Sequence, residues 1–289
     1  MQHVIDILRA HSSPLAPQPT ATPPQLPALA GLKGIVFDIY GTLFISGSGD
    51  IGVAQNSSRD DLLRAALAEN GVLLASEKTA LADTFLQLIR QDHASTRARG
   101  ITYPEVDIRE IWSQFLLRHC PGTPPTQDLT ERLAARDETA TNPIWPMPHL
   151  AETLALLREK GLLLGIVSNA QFYTRRLFPA FLEASAWDLG FLRELSVWSY
   201  KIREAKPSPR LYQLLAEALA EKGIQPAEIL YLGNDMRNDI RPAHQIGFRT
   251  ALFAGDARSL RLRENDPDPM PAPDAVVTSL DQLPSLLGS

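Results

Sequence analysis

The sequence predicts an α/β protein with a doubly wound, Rossmann-like parallel sheet that is interrupted after its first strand by a helical insertion. Two observations predict this fold class. Short apolar runs typical of buried parallel strands alternate with stretches of helical periodicity, and the section after the first run is helical and poor in strands. The predicted strands cover residues 34–37, 162–167, 194–199, 228–233, 249–253 and 274–277. We therefore expect one sheet with helices on both faces.

Residues 1–32 precede the first predicted strand and are expected to form a short helix followed by a Pro-rich segment. Val4, Ile5 and Leu8 share one side of that helix. Between Ser13 and Ala30 the frequent prolines exclude a regular helix and favour an extended chain. The sequence leaves open whether this segment is a loose tail or a strap laid over the domain.

The sheet domain is expected to comprise residues 33–50 and 142–289. Its helices are predicted at residues 149–160, 208–222 and 238–245. A glycine lies just after each of these helices, where a left-handed residue commonly ends a helix. These glycines are Gly161, Gly223 and Gly247. The glycines and the helical periodicity therefore support the same assignment.

The insertion is expected to comprise residues 51–141. Residues 75–92 and 108–120 both carry apolar side chains at helical spacing. Between these helices, residues 100–107 form either a specificity loop that faces the site or an ordinary solvated turn. Polar and charged side chains gather in and just before this loop: His93, Arg97, Arg99, Tyr103, Glu105 and Asp107.

Composition excludes several classes of function. The net charge of -5 and the lack of a basic run argue against nucleic acid as a partner. A single cysteine, Cys120, excludes an internal disulfide and suits the reducing cytoplasm. No apolar run approaches the roughly 18–20 residues of a membrane helix, and the N-terminus lacks a secretory signal. We expect a cytoplasmic protein with neither a membrane nor a nucleic-acid partner.

Polar side chains follow the predicted strands at their carboxyl ends. Asp38 follows GIVF, Ser168 ends LLLGIVS, Lys206 lies a few residues past a strand, and Asp235 and Asp239 follow EILYLG. In an open parallel sheet, ligands bind beyond the carboxyl ends of the strands, so we expect these groups to converge. Taken singly, each also has an ordinary explanation as a turn residue, a helix cap or a solvated lysine.

Together these residue types suit one chemistry. The Asp38 carboxylate can attack phosphorus or carbon to form a covalent intermediate. Asp235 and Asp239 lie one helical turn apart, and with Asp38 they offer the oxygen ligands that Mg²⁺ prefers. Lys206 would neutralise the negative charge gathered there, and the Ser168 hydroxyl could hold a substrate oxygen.

The ordered set of motifs, DIYGT, SNA, AKP and GNDMRND, resembles the haloacid dehalogenase-like hydrolase superfamily over roughly residues 33–289. The resemblance implies that Asp38 is the nucleophile, Lys206 the stabilising cation and Ser168 a ligand of phosphate oxygens. It also implies that Asp235 binds Mg²⁺ with Asp239 as a ligand or support, and that the insertion is a helical cap. Further substrate contacts are expected from Tyr40, Thr42 and Asn169.

Position 40 departs from the common Asp-x-Asp-x-Thr motif of the superfamily, because Tyr40 replaces the second Asp. In the phosphatases that Asp protonates the leaving alcohol and its backbone carbonyl contacts Mg²⁺. Tyr40 keeps the carbonyl as a metal ligand but lacks the acid, a loss that typically costs about 10²–10⁴ in rate. A phosphatase with Tyr40 is therefore expected to favour substrates with good leaving groups.

Three functions remain open at this stage. The acidic pair favours a Mg²⁺-dependent phosphatase acting on a small soluble phosphate ester or anhydride, because two close carboxylates without a cation are electrostatically unfavourable. The DIYGT motif also resembles the 2-haloacid dehalogenases, which require neither the acid nor a metal. The third function is a binding protein disabled by Tyr40. The oligomeric state is left open.

Overall fold

The computed structural model describes residues 2–47, 56–76 and 79–288. The strands in this part of the chain are β1 (Gly34–Phe37), β2 (Phe44–Ser46), β3 (Ile144–Pro146), β4 (Leu163–Ser168), β5 (Phe191–Trp198), β6 (Ile229–Gly233), β7 (Arg249–Phe253) and β8 (Ala275–Val277). The α-helices are α1 (Gln2–Ala10), α2 (Asn56–Glu69), α3 (Leu81–Ala98), α4 (Ile108–His119), α5 (Gln127–Thr141), α6 (Leu150–Glu159), α7 (Leu177–Phe181), α8 (Ser199–Ile202), α9 (Arg210–Ala220), α10 (Arg241–Ile246) and α11 (Leu283–Leu286). Single turns of 3₁₀-helix cover Phe172–Arg176, Pro226–Glu228 and Leu280–Gln282, and a π-helical turn covers Met236–Ile240.

Six strands form one parallel sheet in the order β5-β4-β1-β6-β7-β8. The chain runs from β1 outward through β4 and β5 and then returns to β6 on the other side of β1. The segments after β4 and β6 therefore diverge on either side of β1, which makes the carboxyl end of β1 a topological switch point. The predicted doubly wound parallel sheet is confirmed. The short antiparallel ribbon of β2 and β3 was not predicted.

Alternate side chains of the strands enter two separate cores. In β1, Ile35 and Phe37 belong to the larger apolar cluster, whereas Val36 packs with Tyr231 and Tyr212 on the opposite face. This alternation follows from the two-residue period of a strand, and helices cover both faces. Every residue of β1 is buried, as a central parallel strand requires.

The predicted strands and core helices agree with the structure within a few residues. Gly161, Gly223 and Gly247 have φ of +77°, +70° and +97°, so each is the left-handed residue that the sequence predicts after its helix. The helix predicted at 238–245 begins earlier, with the π-helical turn. Its N-cap is Asp235, whose carboxylate accepts hydrogen bonds from two backbone N–H groups of that turn.

Helices α2–α5 lie between β2 and β3 in the chain, and we call residues 56–76 and 79–141 the helical insertion. The helix predicted at 75–92 begins only at Leu81. Both oxygens of the Asp60 carboxylate accept hydrogen bonds there, from the backbone N–H groups of Leu81 and Ala82 at 3.2 and 2.7 Å. The boundary predicted between residues 50 and 51 lies outside the described residues, and the domain limits remain a prediction.

The Pro-rich segment is a strap along the sheet domain. Gln25 exchanges backbone hydrogen bonds of 2.9 Å with Val276, the Thr20 hydroxyl donates to the carbonyl of Ala254, and Arg258 donates to the carbonyl of Ala16. The apolar side of α1, which includes the buried Val4, packs against α5 and α7. Within the described residues, no helix combines the length and the apolar character needed to span a bilayer.

Candidate active site

Asp38 begins the turn after β1, and its backbone N–H donates to the carbonyl of Leu232 in β6 at 2.9 Å. This bond continues the ladder between β1 and β6 by one residue and directs the carboxylate to the carboxyl edge of the sheet. The Lys206 Nζ donates to Asp38 Oδ1 at 2.7 Å and to Asp239 Oδ1 at 2.6 Å. The three charged side chains that the sequence predicted to converge are therefore in direct contact.

This triad is almost fully withdrawn from water, with side-chain exposures of 4% for Lys206, 8% for Asp38 and 1% for Asp239. Burial lowers the pKa of Lys206, but the charges of Asp239 and Asp38 more than reverse this, so its pKa lies above the ordinary value. Burial raises the pKa of Asp239, against the opposing charge of Lys206. A lysine that stays charged between two carboxylates is the arrangement needed to stabilise added negative charge.

Backbone contacts hold Lys206 in place. The Asn169 Oδ1 accepts the backbone N–H of Lys206 at 2.7 Å, and the Asn169 Nδ2 donates to the Lys206 carbonyl at 3.4 Å. The end of β4, which carries Asn169, therefore fixes the loop that carries Lys206. The sequence predicted a substrate contact for Asn169, and the structure gives it this positioning contact as well as a place on the cavity wall.

Asp239 is saturated by protein donors. Its Oδ1 lies 3.0 Å from the Tyr231 hydroxyl in addition to Lys206, and its Oδ2 accepts the backbone N–H of Asp235 at 3.0 Å. These contacts hold the Asp239 carboxylate in position against the Lys206 ammonium. Of the two roles that the sequence analysis left open for Asp239, a support for the cation is the one that these contacts suit.

Asp235 also contacts the loop that contains Arg263, for which the sequence predicted no role. Its Oδ1 caps the π-helical turn by accepting the N–H of Arg237 at 2.8 Å and of Asn238 at 3.1 Å. The Arg263 guanidinium also binds both carboxylate oxygens, with Nε 3.1 Å from Oδ1 and an Nη 2.5 Å from Oδ2. Arg263 has φ of +58°, a left-handed conformation that costs a non-glycine residue energy and that often accompanies a functional site.

Tyr40 lines the cavity at the position where the superfamily motif usually has Asp. Its hydroxyl lies 2.9 Å from the Thr174 hydroxyl. Burial raises its pKa well above the ordinary value, with the charges of Glu138 and Asp38 acting in the same direction. The phenol therefore stays protonated near neutral pH and is not available as a base.

Two predicted site residues lie behind the cavity wall. Ser168 is fully buried at the end of β4, and its hydroxyl donates to the neighbouring carbonyl of Asn169 at 3.3 Å. Thr42 is also fully buried and donates to the Asn234 Oδ1 at 3.2 Å. The Thr42 hydroxyl thus ties the turn after Asp38 to Asn234, whereas the Ser168 hydroxyl stays within its own segment.

The site opens into a cavity of about 460 Å³ between the sheet and the helical insertion. Its floor is formed by the predicted site residues, namely Asp38, Tyr40, Asn169, Lys206, Asp235 and Asp239. Phe85, Leu86 and Ile89 of α3 add an apolar wall. The volume suits a small molecule that the insertion covers.

The loop predicted at 100–107 contributes to this cavity through Pro104, Glu105 and Val106, and His93 lines it from α3. Burial raises the pKa of Glu105 to about 7. Its carboxylate accepts hydrogen bonds from the Ser199 hydroxyl and from the backbone N–H of Val106. Asp107, which the sequence analysis placed in the same group, instead caps α4 by accepting the N–H of Arg109.

Several residues on the cavity wall were missed by the sequence analysis. Arg59, Asp137, Glu138 and Tyr173 all face the cavity. Their signal in the sequence was weak, because charged residues at helical positions are ordinarily solvated. The heptapeptide AARDETA in α5 contains two buried carboxylates, Asp137 and Glu138, which bind the distant Arg59 and Tyr173, and these long-range contacts become visible only in the fold.

The donor set on the cavity floor fits a hard cation. Asp38 and Asp235 offer carboxylate oxygens there, and Mg²⁺ commonly takes one or two protein carboxylates together with water and substrate oxygens. Within the described residues, no three His, Cys, Asp or Glu side chains form a ready-made metal cluster. Because Arg263 binds both oxygens of Asp235, a cation at this carboxylate has to displace the guanidinium.

Comparison with known proteins agrees with the geometry. The model of the haloacid dehalogenase-like hydrolase family matches residues 32–247. A glyceraldehyde 3-phosphate phosphatase of Methanopyrus kandleri is 25% identical over 246 residues, which cover 82% of this chain and 91% of that protein. A phosphoglycolate phosphatase of Escherichia coli is 27% identical over 266 residues, which cover 89% of this chain and 93% of the relative.

Solved structures of both kinds of enzyme share the fold. A 2-haloacid dehalogenase of Pseudomonas syringae has a TM-score of 0.53 at 19% identity, covering 88% of this chain and 97% of its own. A phosphatase of Thermococcus onnurineus has a TM-score of 0.50 at 19% identity, covering 89% and 98%. At this identity the likeness shows the fold alone.

Proposed function

The chain belongs to the haloacid dehalogenase-like hydrolases, and from this premise we propose that it is a Mg²⁺-dependent phosphatase acting on a small phosphorylated molecule. The observation that carries the proposal is the buried triad of Lys206 with Asp38 and Asp239, next to a retained Asp235. The two relatives compared above, from Methanopyrus kandleri and Escherichia coli, are phosphatases, which supports the same reaction. We extend the proposal to a cytoplasmic enzyme whose partner is its substrate.

Asp38 is the proposed nucleophile. Its Oδ1 is held by Lys206 at 2.7 Å. Attack on phosphorus forms a bond between a carboxylate oxygen and phosphorus, breaks the bond to the leaving oxygen, and gives an aspartyl-phosphate. Water then attacks this phosphorus and regenerates Asp38. Lys206 stabilises the charge on the equatorial oxygens in both steps.

The predicted ligand of phosphate oxygens, Ser168, reaches the substrate in this proposal by turning its hydroxyl away from the Asn169 carbonyl. Thr42 holds the turn that contains Asp38 and Tyr40 through its bond to Asn234. Asn169 keeps Lys206 aimed at the reacting phosphate. Thr42 and Asn169 thus position the groups that carry charge, whereas Ser168 contacts the substrate.

The charge balance supports a divalent cation. The cavity floor holds the carboxyl groups of Asp38, Asp235 and Asp239, against the ammonium of Lys206 and the guanidinium of Arg263 that pairs with Asp235. A phosphate dianion entering this floor meets an excess of negative charge. Mg²⁺ held by Asp38, Asp235 and the Tyr40 carbonyl would supply the missing positive charge and polarise a phosphate oxygen.

Dehalogenation of a 2-haloacid is the second candidate, and Tyr40 is the observation that favours it. In that reaction Asp38 would attack carbon and expel halide, which needs no protonation. The Arg263 pair with Asp235 is compatible with such a metal-free site. We rank this candidate second because the acidic floor opposes the substrate carboxylate.

The dependence of rate on the leaving group tests the proposal. Tyr40 supplies no proton, so the rate of Mg²⁺-dependent hydrolysis should rise steeply as the pKa of the leaving group falls across a series of aryl and alkyl phosphates. Asp38→Asn should abolish turnover of the whole series. A flat dependence would contradict the role assigned to position 40, and turnover by Asp38→Asn would exclude the proposed nucleophile.

A further inference from the structure

The part of the cavity wall formed by the helical insertion carries a charged pair that the proposed reaction does not use. Arg59 of α2 donates an Nη hydrogen bond to Asp137 Oδ2 of α5 at 3.2 Å. Each residue is 7% exposed, and both line the cavity. Burying two charges costs several kcal/mol per ion unless their remaining polar atoms are also satisfied.

Those remaining atoms are not satisfied by the protein. Arg59 Nε and Asp137 Oδ1 are both buried, and neither has a hydrogen-bond partner within the described residues. The pair lines the cavity and leaves one donor and one acceptor unused next to it. A hydroxyl group matches this combination, because it can donate to a carboxylate and accept from a guanidinium at the same time.

The charges around the pair oppose a carboxylate in the same place. Glu138 follows Asp137 and lines the cavity, with its Oε2 bonded to the Tyr173 hydroxyl at 2.7 Å, and Glu105 lies on the wall formed by the loop. Arg59 is already neutralised by Asp137. A substrate carboxylate would thus face the carboxyl groups of Asp137 and Glu138 beside a cation that is already paired, while Glu105, whose pKa is about 7, adds only part of a negative charge near neutral pH.

We propose that the Arg59–Asp137 pair is a specificity site that binds a hydroxyl of the substrate. The enzyme would then select phosphate esters whose organic group is uncharged and hydroxylated over phosphorylated carboxylic acids. This inference rests on the proposed phosphatase function and names its substrate class. It places substrate selection on α2 and α5, in addition to the loop at residues 100–107 for which the sequence left a specificity role open.

Two phosphate esters that differ in one group test the proposal. Glycerol 3-phosphate and 3-phosphoglycerate share the phosphorylated end and differ at the far end, where CH₂OH replaces carboxylate. Dissociation constants are measured by titration calorimetry on Asp38→Asn with Mg²⁺ present, so binding is read without turnover. Glycerol 3-phosphate should bind roughly 10-fold tighter or more, as a lost buried hydrogen bond or an opposed charge implies.

The pair is tested by adding Asp137→Asn, which keeps the size of the side chain and removes its charge. The preference for glycerol 3-phosphate should fall by roughly 10-fold, mainly through tighter binding of 3-phosphoglycerate. Asp83→Asn is the matched control, since Asp83 is an exposed carboxylate on α3 of the same insertion and its loss should leave the preference unchanged. Equal affinity for the two esters, tighter binding of 3-phosphoglycerate, or binding of neither would overturn the inference.

Hydrolysis of an aryl phosphate by the wild-type protein separates this inference from the proposed function. Phosphate release from the aryl ester, combined with equal affinity for the two test esters, would overturn the specificity site alone. No phosphate release, combined with a preference for glycerol 3-phosphate, would overturn the phosphatase and retain the hydroxyl site.

Discussion

Arg263 competes with a cation for Asp235, and its removal should strengthen Mg²⁺ binding. The guanidinium contacts both carboxylate oxygens at 3.1 and 2.5 Å. Mg²⁺ binding at Asp235 requires these two bonds to break, so the free energy of the pair is subtracted from the affinity for the metal. The change to test is Arg263→Gln, which removes the positive charge and the two guanidinium N–H donors while keeping a polar side chain.

The size of the effect follows from the exposure of the pair. Hydrogen bonds to charged groups contribute about 1.5–3 kcal/mol. The Arg263 side chain is 29% exposed and Asp235 is 9% exposed, so the lower end of that range applies. About 1.4 kcal/mol is a factor of ten in a dissociation constant, so Arg263→Gln should bind Mg²⁺ roughly 10-fold tighter than the wild type.

Titration calorimetry with MgCl₂ on the metal-free protein measures this directly and does not depend on turnover. Arg237→Gln is the matched control, because the Arg237 side chain is 43% exposed and lies 3.7 Å from Asp266. That variant should bind Mg²⁺ like the wild type. An unchanged or weaker affinity in Arg263→Gln would refute the competition.

Three further predictions concern the triad, position 40 and the loop. Lys206→Gln leaves the buried Asp38 and Asp239 without a cation. The free energy of unfolding at pH 7, measured by denaturant titration, should therefore fall by about 3–5 kcal/mol. A loss below about 1 kcal/mol would contradict the buried triad. Tyr40→Asp restores an acid, so kcat on alkyl phosphates should rise by about 10²–10⁴ and kcat on aryl phosphates much less; an equal gain on both would rule out a missing acid. The pKa of Glu105, raised to about 7 by burial, makes the folded state lose stability as the pH rises from 4.5 to 7. Glu105→Gln should therefore gain about 3 kcal/mol relative to the wild type between pH 4.5 and pH 8, as read from unfolding curves at both pH values, and a difference independent of pH would argue against a protonated Glu105.

Local sequence was sufficient to predict the sheet and the floor of the site. Each strand of the sheet is a short apolar run bounded by turn residues, and a parallel sheet has only one edge at which Asp38, Lys206 and Asp235 can meet. The left-handed glycines after three helices were equally visible, because the cap geometry depends on neighbours in the chain.

Contacts between distant segments were not predictable in this way. Arg59 and Asp137 pair across 78 residues, and Arg263 reaches Asp235 from a loop 28 residues further along the chain. A single arginine or aspartate gives no sign of its partner, and its ordinary place is the solvated surface. The burial of Ser168 and Thr42 was also missed, since a hydroxyl at the end of a strand can face either the cavity or the loops behind it.

The central claim is that Asp38 attacks phosphorus with the help of a divalent cation. The measurement that tests it most directly follows phosphate release from an aryl phosphate with and without Mg²⁺, in parallel with chloride release from 2-chloropropionate, for the wild type and Asp38→Asn. We expect phosphate release that requires both Mg²⁺ and Asp38, with no chloride release. Chloride release without metal, lost in Asp38→Asn, would contradict it and identify the protein as a dehalogenase.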